Sequence, residues 1–544
     1  MVQLLKNAVI HTMDDLLPVA DAAVVEENRF AFVGTQRAAR IWLQAHKKQA
    51  EEIDCGGKLM LPGLNDSHMH FIHFAKSMRS VDLSGTHSIA EIQQRMAARL
   101  AARDPKDPTW LEGEGWNQDY FDGERRFPTC ADLDAVSPDA PMMIMRACFH
   151  IGVLNSAAMK QIKLNRETAP SYGDLVETLP DGTPNGIIKE SLLDDTKAVI
   201  SSLDLETMKT IILAAQEKAF EQGLTSVQSD DVGYTPNADY HILFEAFAQL
   251  EAEGKLHLRL AEQCLLQKPE LIKEFFAQGY DHRYGTEFFR PSCIKLLADG
   301  SLGARTAAMR APYADDPSTK GLEMFTQDQL NALVLTAHRH GMPAIIHAIG
   351  DRAIEMALDA IENARLLCPG QHPRHGIVHC QITDHALLER FRELEVLAFI
   401  QPIFIDYDMN ICADRVGEAT TATSYAWNTM AQLGIHASLG TDCPVEAFST
   451  MPNLYCAVTR KNSGGGDRTF LPYEAMPLET ALKAYTLEGA YASGEENLKG
   501  SISAGKLADF ILMDRDLFQL PESEILNARV MQTWVDGQLV WERA

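Results

Sequence analysis

From Leu59 onward the chain alternates short, nearly continuous apolar runs with longer runs whose apolar residues recur every three or four positions. The first kind suits a strand buried on both faces and the second an amphipathic helix, so their alternation predicts a parallel α/β arrangement. Eight strand segments follow: "LMLPGLNDSHMH" at Leu59, "LTSVQSDD" at Leu224, "LHLRLAEQC" at Leu256, "SCIKLLADG" at Ser292, "PAIIHAIG" at Pro343, "HGIVHCQ" at His375, "EVLAFIQPIF" at Glu395 and "HASLGTDCP" at His436. Helical runs separate them, for example from Leu205, Gln327 and Asp351, each with a Gly at or near its end or an Asp or Thr before it. Eight strand-helix units predict a closed barrel rather than an open sheet.

The two ends of the chain have a different texture. "LLKNAVIHTM", "AAVVEENRFAFVG" and "EEIDCGGKLMLPG" near the start, and "ISAGKLADFILMDRD" and "ARVMQTWVDGQLVWERA" near the end, are short extended pieces. Asp536-Gly537 between two alternating runs predicts a hairpin. Two β-rich ends with nothing else to pack on are expected to pair with each other.

Length leaves an excess: residues 61 to 491 amount to roughly 430, against about 250 for a bare barrel. Most of it lies between His70 and Asp204, where clustered Trp, Tyr, Asp and Gly show no clear period. An insertion after a barrel strand falls on the active-site face, so residues about 77–200 are expected to form a lid or a substrate-pocket insert. "NSGGGDR" at Asn462 lacks the Gly-Lys-Ser/Thr of a phosphate cradle and is expected to be a loop.

The composition, 46% hydrophobic and 23% charged, is that of a soluble globular protein. Acidic residues exceed basic ones by 75 − 49 = 26, which argues against a nucleic-acid partner. The first twenty residues lack the apolar core of a signal peptide, and no stretch approaches the roughly 18 apolar residues of a spanning helix, so no membrane is expected. Ten scattered cysteines without a short-spaced framework predict a reduced, cytoplasmic protein.

Interior strand positions of a barrel normally hold Val, Ile or Leu, so the polar residues that interrupt these strands carry the chemistry. His68 and His70 end the first, Lys295 lies in the fourth, His347 ends the fifth, His379 the sixth and Asp442 the eighth. Residues two apart on a strand share a face, so His68 and His70 both look inward. Imidazoles and a carboxylate gathered there suit zinc or a similar borderline divalent cation, as one ion or two. Lys295, flanked by apolar residues beside a cationic site, is costly as an ammonium. Carboxylation to a carbamate bridging two metals resolves this; the alternative is a lysine reaching a carboxylate such as Asp299. Of the other histidines only His150, within the insert, is a substrate-pocket candidate, alongside Trp116, Tyr120 and Phe149. Asp351 is expected to cap the helix that follows it. Asp299, Ser301 and Arg305, on the loop after strand four, are candidates for substrate contact.

With these residues in place, the chain resembles the amidohydrolase superfamily of metal-dependent hydrolases. "PGLNDSHMHF" looks like its strand-one His-x-His signature and "LGTDCPV" like its strand-eight aspartate, while "IKLLADGSLGARTAAM", "IIHAIGDRAI" and "HGIVHCQ" are similar to the amidohydrolase-3 (YtcJ-like) branch, which includes N-substituted formamide deformylases. The resemblance implies a (β/α)8 TIM barrel over residues 61–495 and a small β-sandwich built from residues 1–60 and 496–544. It also implies that His68 and His70 bind the more buried metal with Asp442, that His347 and His379 bind the more exposed one, and that Lys295 bridges. The implied reaction is hydrolysis of a carbon-nitrogen bond of an amide or N-formyl small molecule. Asp442 would act as general base and then acid, with His379 as a second catalytic residue helping to polarise the carbonyl. Alternatives are a deaminase, lactonase or decarboxylase on the same barrel, or a non-catalytic regulatory protein of this fold. A homodimer is possible for a barrel of this size.

Overall fold

The eight apolar runs become eight parallel strands of one sheet: β1 (Leu64–Met69), β2 (Leu224–Ser229), β3 (Arg259–Leu265), β4 (Phe289–Leu297), β5 (Ala344–Ala348), β6 (Gly376–His379), β7 (Leu397–Ile400) and β8 (Ala437–Leu439). Each pairs in parallel with the next in chain order. A computed structural model of the chain describes residues 2–103, 109–147, 150–200, 204–235, 239–281 and 283–544. Every residue of β1 and β2 is buried, as expected of strands covered on one face by helices and on the other by barrel-filling side chains. The helices begin and end where local chemistry dictates. Thr326 and Gln329 form a capping box at the start of Gln327–Arg339, and Gly341, at φ +70°, follows its end.

Closure of the cylinder depends on the residues just past β8. The Asp442 N–H donates to the His68 carbonyl at 2.8 Å, and the His70 N–H to the Cys443 carbonyl at 2.8 Å. The Asp66 carboxylate accepts from the Thr441 N–H at 3.1 Å and its hydroxyl at 2.6 Å. At Gly440 two backbone segments approach so closely that a Cβ would lie 2.6 Å from the His68 nitrogen. Glycine is therefore required where the seam meets the candidate ligands.

The run at Leu59 divides into two strands. Leu59–Pro62 leaves the barrel and pairs with Phe510–Met513 and Val9–His11, and only Leu64–Met69 continues as β1. The break falls at Gly63, where a Cβ would sit 2.1 Å from the Thr225 hydroxyl. The two ends of the chain do pair: one sheet runs Gln538–Glu542, Val530–Val535, Phe510–Met513, Leu59–Pro62, Val9–His11, Val19–Ala20. A second runs Arg29–Gly34, Ala22–Glu26, Val2–Lys6, Glu51–Asp54. Leu5, Ile10, Phe30, Met60, Phe510 and Trp534 share one core cluster drawn from strands of both sheets, which makes a β-sandwich. Asp536 and Gly537, at φ +53° and +71°, form the primed hairpin turn that their residue types predict. Arg259 of β3 is buried against this end of the chain, with Nε 2.7 Å from Asp509 Oδ2 and Nη2 2.6 Å from Asp536 Oδ1.

Residues 72–211 and 234–246 form a second compact unit. Its mixed sheet runs Val176–Thr178, Pro184–Lys189, Ile151–Leu154, Met142–Arg146, Leu111–Trp116, Val81–Asp82. Leu83, Ile92, Met96, Ile144 and Trp116 fill one side of it. The stretch without clear period thus has a core of its own. Among the described residues no helix is long and apolar enough to cross a membrane, and every described cysteine is free.

Candidate metal centre

At the carboxyl ends of the strands, His68, His70 and Asp442 bring three ligand atoms within 4.8 Å of one another. Asp442 Oδ1 lies 3.4 Å from His68 Nε2 and 3.2 Å from His70 Nε2. Lys295 Nζ stands 3.1 Å from His68 Nε2, and His347 Nδ1 stands 2.9 Å from His379 Nε2. The ring centres of His68 and His379 are 5.8 Å apart, so the six predicted ligand positions converge on one region. His379 and Asp442 both have left-handed backbones, at φ +79° and +58°. Such conformations cost about 1–3 kcal/mol each for residues other than glycine and concentrate where geometry serves function.

Hydrogen bonds behind the rings fix their tautomers. Gln263 Nε2 donates to the Ser67 carbonyl, which turns its Oε1 toward His68 Nδ1 at 2.7 Å. Gln401 is held likewise by the Phe399 carbonyl and accepts from His379 Nδ1 at 2.8 Å, while His70 Nδ1 donates to the Asp230 carbonyl at 2.9 Å. With Nδ1 the donor in His68 and His379, Nε2 is left as the lone pair that faces inward. His347 is turned the other way, because its Nε2 donates to the Gly300 carbonyl at 3.1 Å and Nδ1 becomes its lone pair. The His347 and His379 lone pairs therefore meet at 2.9 Å, an arrangement stable only with a proton or cation between them.

Electrostatics point the same way. Burial, and then Lys295 for His68 and His347 for His379, hold both imidazoles well below the ordinary histidine range, in the neutral form that ligates. Burial opposes charge on His70, but Asp442 raises it to about 9; Asp442 in turn, despite its burial, is held below the usual carboxylate range by His70. A proton on His70 and a divalent cation compete for one place beside Asp442. Asp230 Oδ1 is buried without a hydrogen-bond partner among the described residues. The donor set, neutral nitrogens with carboxylate oxygens, fits a cation of zinc type.

Lys295 is buried, and burial lowers its pKa against the pull of Asp230 and Asp442. Its nearest carboxylate is Asp230, at 4.0 Å, and not Asp299. Asp299 instead accepts from the backbone N–H groups of Ala308, Ile349 and Gly350 at 2.9, 3.1 and 2.8 Å. It ties the loops after β4 and β5 together, 3.4 Å behind His347 Nε2, rather than offering an oxygen to a substrate. His379 has its N–H turned to Gln401, so its inner nitrogen presents a lone pair and is not the donor expected beside a carbonyl.

The remaining candidates fall elsewhere. Arg305 is committed to Asp315, with Nε and Nη2 at 3.0 and 2.8 Å, and Ser301 closes its own loop by accepting from the Ala304 N–H. Trp116 is fully buried in the core of the second unit, edge-on to Phe127, because a large apolar ring there fills the gap between sheet and helix. His150 is exposed and lies 3.0 Å from Glu190; Tyr120 is exposed too, and Phe149 lies outside the described residues. Asp351 is the first residue of its helix and accepts from the Arg310 N–H instead of capping.

Sequence reasoning passed over Asp230, Gln263 and Gln401. The signal was present in the two glutamines, since both interrupt apolar strand runs as the ligands do. Gln263→Leu is expected to weaken zinc binding about 10- to 100-fold by freeing the His68 ring, measured by competition with a chelator. A second expectation concerns pH. Asp408, just after β7, is pushed up to about 6 by burial, against hydrogen bonds from Tyr425 and Gln381. The folded chain then holds a proton that the unfolded chain loses near pH 4, so this group costs stability as pH rises from about 4 to about 6, on the order of 3 kcal/mol in all. Asp408→Asn is expected to flatten that part of the profile in urea unfolding at pH 4 and pH 7.

Fold and site together define a parallel barrel with a nitrogen-oxygen donor set able to hold a metal ion at the carboxyl ends of its strands. The chain belongs to the Amidohydrolase family, whose sequence model matches residues 51–541. It is 30% identical over 541 residues to the "Putative amidohydrolase YtcJ" of Bacillus subtilis (strain 168), covering 98% of each chain. It is 25% identical over 558 residues to the N-substituted formamide deformylase of Arthrobacter pascens, covering 99% of this chain and 98% of that one. A solved metal-dependent hydrolase from Pyrococcus furiosus superposes with a TM-score of 0.78 at 29% identity, over 95% of this chain and 99% of its own.

Proposed function

We propose that this protein is a metal-dependent hydrolase of carbon-nitrogen bonds, acting on a small amide or N-formyl compound. The observation that carries the reading is the convergence of His68 Nε2, His70 Nε2 and the Asp442 carboxylate, with Lys295 3.1 Å from the first of them. His68, His70 and Asp442 would hold one cation, His347 and His379 a second, and Lys295 would bridge as a carbamate. That modification joins the neutral amine to carbon dioxide and releases one proton, and the burial that depresses the Lys295 pKa favours the reactive amine. A bound cation of zinc type supplies Lewis acidity that brings the ionisation of water toward neutral pH.

The chain's own residues then divide the work. Asp442, ionised at every physiological pH, orients the attacking water, accepts its proton as the carbonyl carbon is attacked, and returns that proton to the leaving nitrogen. Gln263, Gln401 and the Asp230 carbonyl keep the imidazoles aimed. The formamide deformylase relative supports an N-formyl substrate, and the burial of the site supports the exclusion of bulk water. A panel of formamides, N-acyl amino acids, lactones and cyclic ureas, assayed with added zinc, tests this. Turnover of formamides or N-acyl compounds is expected; turnover of lactones alone contradicts the carbon-nitrogen assignment.

A further inference from the structure

A cavity of about 370 Å³ opens at the amino ends of β6 and β7, the end of the barrel away from His379. Its wall carries Arg365 from the last turn of the helix Asp351–Leu367, and Gln371, His372 and Arg374 from the segment that leads into β6. Glu395 before β7 and Tyr491 from the helix Leu487–Ala492 complete it. The volume lies in the range of sites for small molecules.

The two guanidiniums have different fates. Arg374 is neutralised: its Nη1 and Nη2 lie 3.0 and 2.7 Å from the two Glu496 oxygens, and it stacks 3.8 Å over the Tyr491 ring. Among the described residues, no carboxylate lies within ion-pair distance of Arg365 and no group accepts a hydrogen bond from its guanidinium. Burial lowers its pKa, Glu395 pulls on it only from longer range, and it stays charged. The end of its own helix offers it only a fraction of a countercharge. In a chain of formal charge −26, a half-buried cation left uncompensated in a concave wall is the exception.

The wall is also held in place. His375, between the cavity segment and β6, accepts from the Ala344 N–H at its Nδ1 and donates from Nε2 to His338 Nδ1, each at 2.9 Å. His338 Nε2 donates in turn to the Cys368 carbonyl at 2.9 Å, where the cavity segment begins. Each nitrogen of this buried pair is satisfied with both rings neutral, so the segment is fixed at both ends and binding costs little ordering.

We propose that this cavity binds a small monocarboxylate, forked by Arg365 and with its apolar body against Pro369 and Pro373. One unpaired guanidinium matches one planar, singly charged acceptor, and the exposed Glu395 on the rim disfavours a second negative charge on the ligand. Gln371 and His372 offer further hydrogen bonds at the mouth. The inference is independent of the hydrolase reading, since it requires no reaction at the other end of the barrel.

Calorimetric titration of the full, chelator-treated chain with benzoate tests it, because removing any cation suppresses carboxylate binding at the metal centre. Saturable binding is expected, at least about tenfold weaker for the uncharged isostere benzamide and for R365Q. R365K, which keeps the charge and loses the fork, is expected to bind more weakly than the parent chain. Absence of saturable benzoate binding up to about 10 mM overturns the proposal. So does unchanged affinity in R365Q, or in R365K should R365Q fail to fold.

Discussion

Asp442→Asn is expected to lower kcat by roughly 10²- to 10⁴-fold on whichever amide or formamide the parent chain turns over, measured at saturating zinc. The amide keeps the shape of the carboxylate and leaves the backbone bonds at the seam intact, including Asp442 N–H to His68 carbonyl at 2.8 Å. What it removes is the proton acceptor and, with it, the charge of one candidate cation ligand, so the metal content is measured beside kcat. The carboxylate is suited to that task because the positive charge beside it, the His70 proton or a cation in its place, keeps it ionised despite its burial. A KM that moves little beside a large fall in kcat is the expected division, since the proton is transferred on the way to the transition state and not in binding. A variant within tenfold of the parent, with its metal retained, assigns proton transfer to another group.

The largest expected effect on stability lies away from the site. Arg259 of β3 is 2% exposed and bonded to both Asp509 and Asp536, so it pins the hairpin end of the sandwich to a barrel strand. Arg259→Met is expected to cost about 3–5 kcal/mol in urea unfolding, because it leaves the buried Asp509 and the partly buried Asp536 without their cation. Burial already pushes Asp536 up, against the pull of Arg259. Without the guanidinium it rises further, so the variant loses more stability at pH 8 than at pH 5. Replacing Asp509 with an apolar residue and Asp536 with Asn, which tolerates the left-handed backbone at φ +53°, in the Arg259→Met background is expected to restore much of the loss. A cost below about 1 kcal/mol for the single change contradicts this account of the contact.

The barrel was legible in the sequence because strands buried on both faces leave continuous apolar runs, and because most of these runs stop at Gly, Pro or a polar residue. The same property marked the candidate ligands: His68, His70, Lys295, His347, His379 and Asp442 are polar where a barrel interior expects aliphatic residues. Gln263 and Gln401 obey the same rule and went unnoticed only because an amide is not a metal ligand of first resort. The second unit was illegible for a physical reason. Its strand Leu111–Trp116 reads "LEGEGW", which resembles a turn, yet a Cβ at Gly113 would lie 2.8 Å from Leu83 and 2.9 Å from Met96. Glycine there makes room for close packing and is no sign of a loop. Trp116, an aromatic among polar neighbours, suggested a pocket for the same reason that it proved to be core. Asp299 shows a further limit of sequence reading, since its three acceptor bonds come from backbone groups up to 51 positions away.

Metal analysis of the purified chain by inductively coupled plasma mass spectrometry, beside that of His68→Ala and His70→Ala, tests the central claim most directly. The account predicts one to two equivalents of zinc or a similar divalent ion on the parent chain and its loss from both variants. A chain that holds no transition metal after growth with added zinc, or variants that keep as much as the parent, would contradict it.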